Sequence, residues 1–252
     1  MSSNTNKKFE LCYPIMESDK VLFIDKVISL ENDKNDMIEL RIDFLLEKGI
    51  TIDEIIEMIN HISASTSKKI IVTIRTDREG GKYKLDEKKY YDYIEKIYFK
   101  TKVEYLDVEY KVYINEGKKY ENLFKNNSKK IILSTHIFDK VLSKKQYATL
   151  FHNMLKPYID VVKCAVFVNT KKELFDYMMV AKKSSKIIKN AKKECIFIAM
   201  GEMGRLSRLW PEFTNTKVVF LTANSEKVSN IGQFSYENFV KYRKLLEKIV
   251  KN

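Results

Sequence analysis

Lys163 lies in the run Asp160-Val161-Val162-Lys163-Cys164-Ala165-Val166-Phe167-Val168, where seven of nine residues are apolar. Such a run reads as a strand buried on both faces. A lysine there must snorkel to water, meet a carboxylate, or give up its proton. The last choice makes it a nucleophilic amine that can form an imine with a ketone. For this residue taken alone, a structural ion pair or a snorkelling strand-end lysine is the competing reading.

Other reactive residue types recur at comparable places. Glu39, Arg41 and Asp43 alternate with Leu40 and Ile42, so a two-residue period puts three charges on one face. Arg75 is followed by Thr76-Asp77-Arg78-Glu79-Gly80-Gly81, where paired glycines permit a sharp loop that could direct Glu79 back over a site. Asp107 and Glu109 share a face and suit the arginines as partners. His136 ends the run 130–136, with Glu109 and Lys163 as its expected neighbours. Beside an imine-forming lysine, a group titrating near neutrality is what proton transfer requires. The other histidines, His61 and His152, fall in helical stretches. Arg208 offers a fork suited to a carboxylate or phosphate. Five of the seven glycines fall at 80–81, 201–204 and 232, where unusual backbone is expected.

Eight short β-branched runs must carry these groups: 10–15, 37–43, 69–76, 104–110, 130–136, 160–167, 194–201 and 217–224. Helical spacing separates them, as in Ile52-Ile55-Ile56-Met58-Ile59 and Tyr90-Tyr93-Ile94-Ile97-Tyr98. The segment 112–124 is the weakest helix, because Asn115 and Gly117 interrupt it. Eight strand-then-helix units in 252 residues predict a single-domain α/β protein, a (β/α)8 TIM barrel over 1–252 with residues 1–8 as a flexible tail. The alternative, a doubly wound open sheet, wants a glycine-rich turn after the first strand; Pro14-Ile15-Met16-Glu17-Ser18 is not one. In a barrel, reacting groups sit at the C-terminal strand ends, which is where the residues above collect.

Composition narrows the class. Apolar residues make up 44% and charged ones 32%, ordinary for a folded globular chain. The polar start resembles no signal peptide, and no run approaches a membrane span. Cys12, Cys164 and Cys195 are far apart in apolar runs, which predicts reduced thiols in a cytoplasmic protein and no metal-ligand spacing. The net charge of +12 raises nucleic acid as a partner. Against it, the lysines are dispersed and mixed with acids, as in Asp86-Glu87-Lys88-Lys89, which describes a solvated surface. The expected partner is therefore a small anionic molecule, with neither nucleic acid nor membrane involved.

Seven motifs together resemble one family, the type I 3-dehydroquinate dehydratases, Schiff-base enzymes of the shikimate pathway. They are Glu-Leu-Arg-Ile-Asp at 39–43, Ile-Arg-Thr-x-x-Glu-Gly-Gly at 74–81, Asp-Val-Glu at 107–109, and Ser-Thr-His at 134–136. Asp-Val-Val-Lys at 160–163, Met-Gly-x-x-Gly-x-x-Ser-Arg at 200–208 and Gly-Gln at 232–233 complete the series in family order. The resemblance implies a (β/α)8 barrel, usually dimeric, that dehydrates 3-dehydroquinate to 3-dehydroshikimate without a metal or redox cofactor. It implies that Lys163 forms the imine, His136 shuttles protons and Glu79 holds His136. Arg208 would bind the substrate carboxylate, and Glu39, Arg41, Arg75, Ser229 and Gln233 its hydroxyls and carboxylate, with Met200 and Phe138 lining the pocket. Ile231 departs from the family's proline before Gly-Gln. Three alternatives remain: a class I aldolase, which shares the lysine chemistry, a basic nucleic-acid-binding protein, and a catalytically dead interaction module.

Overall fold

The computed structural model describes residues 8–126, 128–139, 142–223 and 233–251. Residues 1–7 of the expected tail, Ser229, Ile231 and the rest of 224–232 lie outside the described residues.

Eight strands run in parallel: β1 (Glu10–Ile15), β2 (Met37–Arg41), β3 (Lys69–Thr73), β4 (Tyr105–Glu109), β5 (Lys130–Ile137), β6 (Val161–Phe167), β7 (Glu194–Met200) and β8 (Val218–Phe220). The sheet order is β7-β6-β5-β4-β3-β2-β1-β8. A parallel bridge between Cys195 and Thr216, just ahead of β8, brings the two ends together. This is the expected (β/α)8 barrel, and the ring rules out the open sheet.

Helices follow the strands for sequence reasons that are easy to trace. In α1 (Ile52–Ser65), Ile52, Ile55, Ile56, Ile59 and Ile62 form one buried stripe. Its first turn is closed by a reciprocal capping box between Thr51 and Glu54. The same device starts α2 (Lys144–Asn153), through Ser143 and Gln146, and α3 (Lys171–Asn190), through Thr170 and Glu173. The segment expected to be a weak helix is two helices, Tyr110–Asn115 and Gly117–Phe124, parted at Glu116.

Strand parity divides the core. Outward-facing Ile38, Leu40, Val72, Leu106, Leu133, Val162 and Val166 pack with the helices in the large apolar cluster. A smaller cluster of Cys12, Met37, Ile71, Tyr105, Ile132, Val161, Ile196 and Phe220 fills the barrel. Two residues further along the same parity, the interior turns polar at Glu39, Thr73, Asp107, Ser134 and Lys163. The register aligns Thr73 with Asp107 and Ser134 with Lys163. Charged residues therefore rest on an apolar floor.

Three strands, β2, β3 and β8, stop two or more residues short of their sequence patterns, β8 already at Phe220. Ile42 takes a helical conformation (φ −74°, ψ −10°) and donates to Thr73 O at 3.1 Å. The chain then enters a short helix, Asp43–Glu47, so Asp43 is a helix residue rather than a third inward strand charge. β3 likewise ends at Thr73, before Arg75.

The turn after β3 depends on both its glycines. Gly80 sits at φ +83°, in the left-handed region. A Cβ on Gly81 would lie 1.8 Å from the Arg75 carbonyl oxygen, a backbone atom that cannot swing away. Gly81→Ala should therefore destabilise the fold by about 1–3 kcal/mol or more and displace Arg75. A denaturant midpoint indistinguishable from wild type would refute this reading of the turn.

Candidate active site

A cavity of about 410 Å3 opens at the C-terminal ends of the strands. Its wall includes Glu39, Arg41, Arg75, Glu79, His136, Lys163, Arg208 and Gln233, together with Phe138, Met200 and Gly80. Ten of the eleven residues singled out by the sequence as site candidates are thus on one cavity wall; the eleventh, Ser229, is outside the described residues. Its volume suits a small molecule. Phe167, Ile198 and Phe220 add apolar wall that the sequence reading had not assigned. The inward parity of Ile198 on β7 and Phe220 on β8 was the signal that could have found two of them.

Lys163 is 3% exposed and projects from β6 into this space. Its Nζ donates to Asp107 Oδ2 at 3.0 Å and to Glu39 Oε1 at 3.2 Å, and lies 4.6 Å from the centroid of the Phe220 ring. The expected neighbour of this amine was His136. The amine's hydrogen-bond partners are two carboxylates, because Ser134, not His136, is its register neighbour on β5. His136 aligns with Ala165, two residues nearer the mouth.

Arg75 is the hub beneath the turn. It reaches Asp107 at 2.8 Å, Glu109 at 3.1 Å, the Ser134 hydroxyl at 3.1 Å and Glu79 at 3.5 Å. Asp107 and Glu109 thus partner one arginine rather than two, for Arg41 pairs with Asp43 at 2.8 Å. Asp43 also accepts from the backbone N–H groups of Arg75 and Lys82, tying the turn to the end of β2. Ser134, Thr73 and Thr76 complete the network: Ser134 donates to Asp107 at 2.6 Å, Thr73 to Glu39 at 2.9 Å and Thr76 to Glu109 at 2.7 Å. The inward parity of Thr73 and Ser134 was the sequence signal that could have found two of these three.

Glu79 folds back over the mouth through a turn of 3-10 helix, Asp77–Glu79. Its Oε2 accepts from the His136 backbone N–H at 3.0 Å and lies 3.0 Å from His136 Nδ1. With Nδ1 donating to Glu79, Nε2 is the ring atom left with a lone pair. Burial pushes the Glu79 carboxyl up to about 8, against the pull of Arg75. Burial, reinforced by the charges of Arg75 and Lys163, holds His136 well below the usual imidazole value.

Arg208 is a different kind of group. Burial and then Arg205 lower its guanidinium to about 10, so it stays cationic at neutral pH. It donates to Ala199 O at 2.9 Å, while its buried Nε has no partner among the described residues. No carboxylate among the described residues pairs with it. Gln233 Oε1 is likewise buried without a described partner.

Comparison with known proteins decides the family. The sequence profile described as type I 3-dehydroquinase matches residues 11–249. The chain belongs to this family. A 3-dehydroquinate dehydratase of Lactococcus lactis subsp. cremoris is 31% identical over 245 residues, spanning 96% of this chain and 98% of the relative. One from Alkaliphilus oremlandii is 27% identical, over 91% of this chain and 88% of that one. Among solved structures, type I 3-dehydroquinate dehydratase from Clostridium difficile, with covalently modified comenic acid, superposes with a TM-score of 0.84. That pair is 25% identical, covering 95% of this chain and 92% of the other. Family membership favours the dehydratase over the aldolase alternative.

A pH consequence follows from the His136 environment. If His136 acts as the base, its neutral imidazole is the working form, and that form is lost as pH falls through the lowered pKa. The acid limb of kcat/KM attributable to His136 should therefore lie below pH 6.5. A limb centred above pH 7 that vanishes in His136→Ala would show the imidazole to be stabilised as a cation instead.

Proposed function

We propose that the chain dehydrates 3-dehydroquinate to 3-dehydroshikimate through an imine on Lys163, with His136 as general acid and base. Membership of the type I 3-dehydroquinase family supports the reaction. One observation carries the assignment of the nucleophile: among the described residues, Lys163 is the lysine on the cavity wall, buried at the centre of a charge network.

The substrate ketone would meet Lys163 after one ammonium proton has left. The amine attacks the carbonyl carbon, the proton it gave up returns as the carbonyl oxygen departs in water, and a protonated imine results. That cation acidifies the adjacent C–H, because the electron pair left behind delocalises into an enamine. His136, oriented by Glu79, takes this proton and returns one to the leaving hydroxyl. Water then hydrolyses the imine, again with His136. Arg208, a buried cation lacking a described counter-charge, suits the substrate carboxylate. Glu39, Arg41, Arg75, Ser229 and Gln233 are assigned to the hydroxyls and carboxylate, while Met200 and Phe138 shape the wall. On this reading the enzyme is one catalytic domain, works as a homodimer and resides in the cytoplasm, where Cys12, Cys164 and Cys195 stay reduced; all three are free and buried.

Borohydride added with 3-dehydroquinate should leave a reduced adduct on Lys163, found by intact mass and peptide mapping. Lys163→Ala should lose turnover by more than about 10³-fold and still bind substrate. Turnover retained in that variant would refute the imine. His136→Ala should slow turnover by about 10²–10⁴-fold and accumulate adduct. A wild-type rate would make His136 structural.

A further inference from the structure

Imine formation changes what Lys163 can hold. An ammonium plus a ketone gives a protonated imine plus water. The C=N bond replaces C=O, and two of the three N–H protons leave with the carbonyl oxygen. Charge on nitrogen is conserved, while its hydrogen-bond donors fall from three to one. Before reaction Nζ serves two carboxylates, Asp107 at 3.0 Å and Glu39 at 3.2 Å. After reaction it can serve one.

The two carboxylates are not equivalent. Asp107 is fully buried and takes no part in the cavity wall. Its Oδ1 accepts from Arg75 at 2.8 Å and Ser134 at 2.6 Å, which leaves Oδ2 turned to Lys163. Glu39 lines the cavity, where substrate can reach it. Its Oε1 is held by Thr73 as well as Lys163. Burial alone would raise the Asp107 carboxyl, but Arg75, Lys163 and the Ser134 hydroxyl outweigh it and keep it below the usual range.

We propose that Asp107 is a further catalytic residue: it holds the single N–H that survives condensation and keeps the imine protonated, while Glu39 lets go of Lys163 and turns to the substrate. The proposal rests on the imine reading above. It matters because an imine nitrogen is a far weaker base than the amine it replaces, and only the protonated imine draws electrons from the adjacent carbon. A fixed, desolvated carboxylate is the group that keeps that proton in place.

The test is cyanoborohydride trapping at saturating 3-dehydroquinate across pH, since this reagent reduces protonated imines. It is read beside kcat and KM. In Asp107→Asn the alkaline half-point of trapping should move down by about one pH unit or more. Its kcat should fall about 10²-fold, with KM within about threefold. Glu39→Gln should show the opposite split: KM raised about tenfold or more, as expected for a lost contact to a substrate hydroxyl, and the half-point moved less than half as far. Ser134→Ala keeps every charge and removes one hydrogen bond from Asp107 and one from Arg75, so a smaller downward shift is expected. If Asp107→Asn does not fold, an unmoved half-point in Ser134→Ala overturns the proposal. Equal shifts in the Asp107 and Glu39 variants, or a loss confined to KM in Asp107→Asn, also overturn it. A wild-type protein that gives no adduct sinks the imine reading itself. A wild-type adduct with an unmoved Asp107→Asn profile sinks this proposal alone.

Discussion

An ammonium and a guanidinium buried together inside a barrel need negative charge within hydrogen-bonding distance, or the fold does not hold them. Arg75 and Lys163, both 3% exposed, meet that demand by sharing Asp107. Glu109 serves Arg75 and Glu39 serves Lys163 on either side. Removing one partner from such a group leaves a desolvated charge, typically a loss of about 3–5 kcal/mol. The network therefore ties the stability of the barrel interior to the placement of its reactive amine.

Depth within the barrel sets what each group does. The apolar layer of Met37, Ile71, Tyr105, Ile132 and Val161 lies beneath the charges and keeps water from below. Lys163 and Asp107 occupy the next layer, where low polarity strengthens every charge interaction. His136 and Glu79 sit nearer the mouth, and burial pushes both toward their neutral forms. A proton carrier near solvent above a fixed ion pair is an arrangement suited to moving protons while holding charge still. Arg208 adds a buried cation with no described carboxylate, a place for an anion from outside.

Much of this was legible in the chain. Eight β-branched runs separated by helical spacing announced the barrel, and their polar C-terminal ends announced the mouth. Glycines in a glycine-poor chain marked the turn at Gly80 and Gly81, where one needs a left-handed backbone and the other a near backbone contact. Less legible was where strands stop. Glu39, Arg41 and Asp43 alternate like one strand face, yet Ile42 turns into a helix and Asp43 leaves the pattern. Periodicity reports which residues could share a face; it does not report where the backbone bends away.

Residue types and their order, by themselves, determined the eightfold repeat, the apolar floor and the set of groups able to form an imine, move protons and bind a carboxylate. Which group meets which was decided only by the tertiary structure. Ser134 rather than His136 lies level with Lys163 because parallel register is set by how neighbouring strands stagger around the ring. Arg75 gathers Glu79, Asp107 and Glu109 from three segments because the 3-10 turn and two inward strand positions converge there. Such pairings join residues up to 124 positions apart, as in Glu39 and Lys163, and no local pattern encodes them. They exist because closing the ring brings one end of every strand to the same mouth.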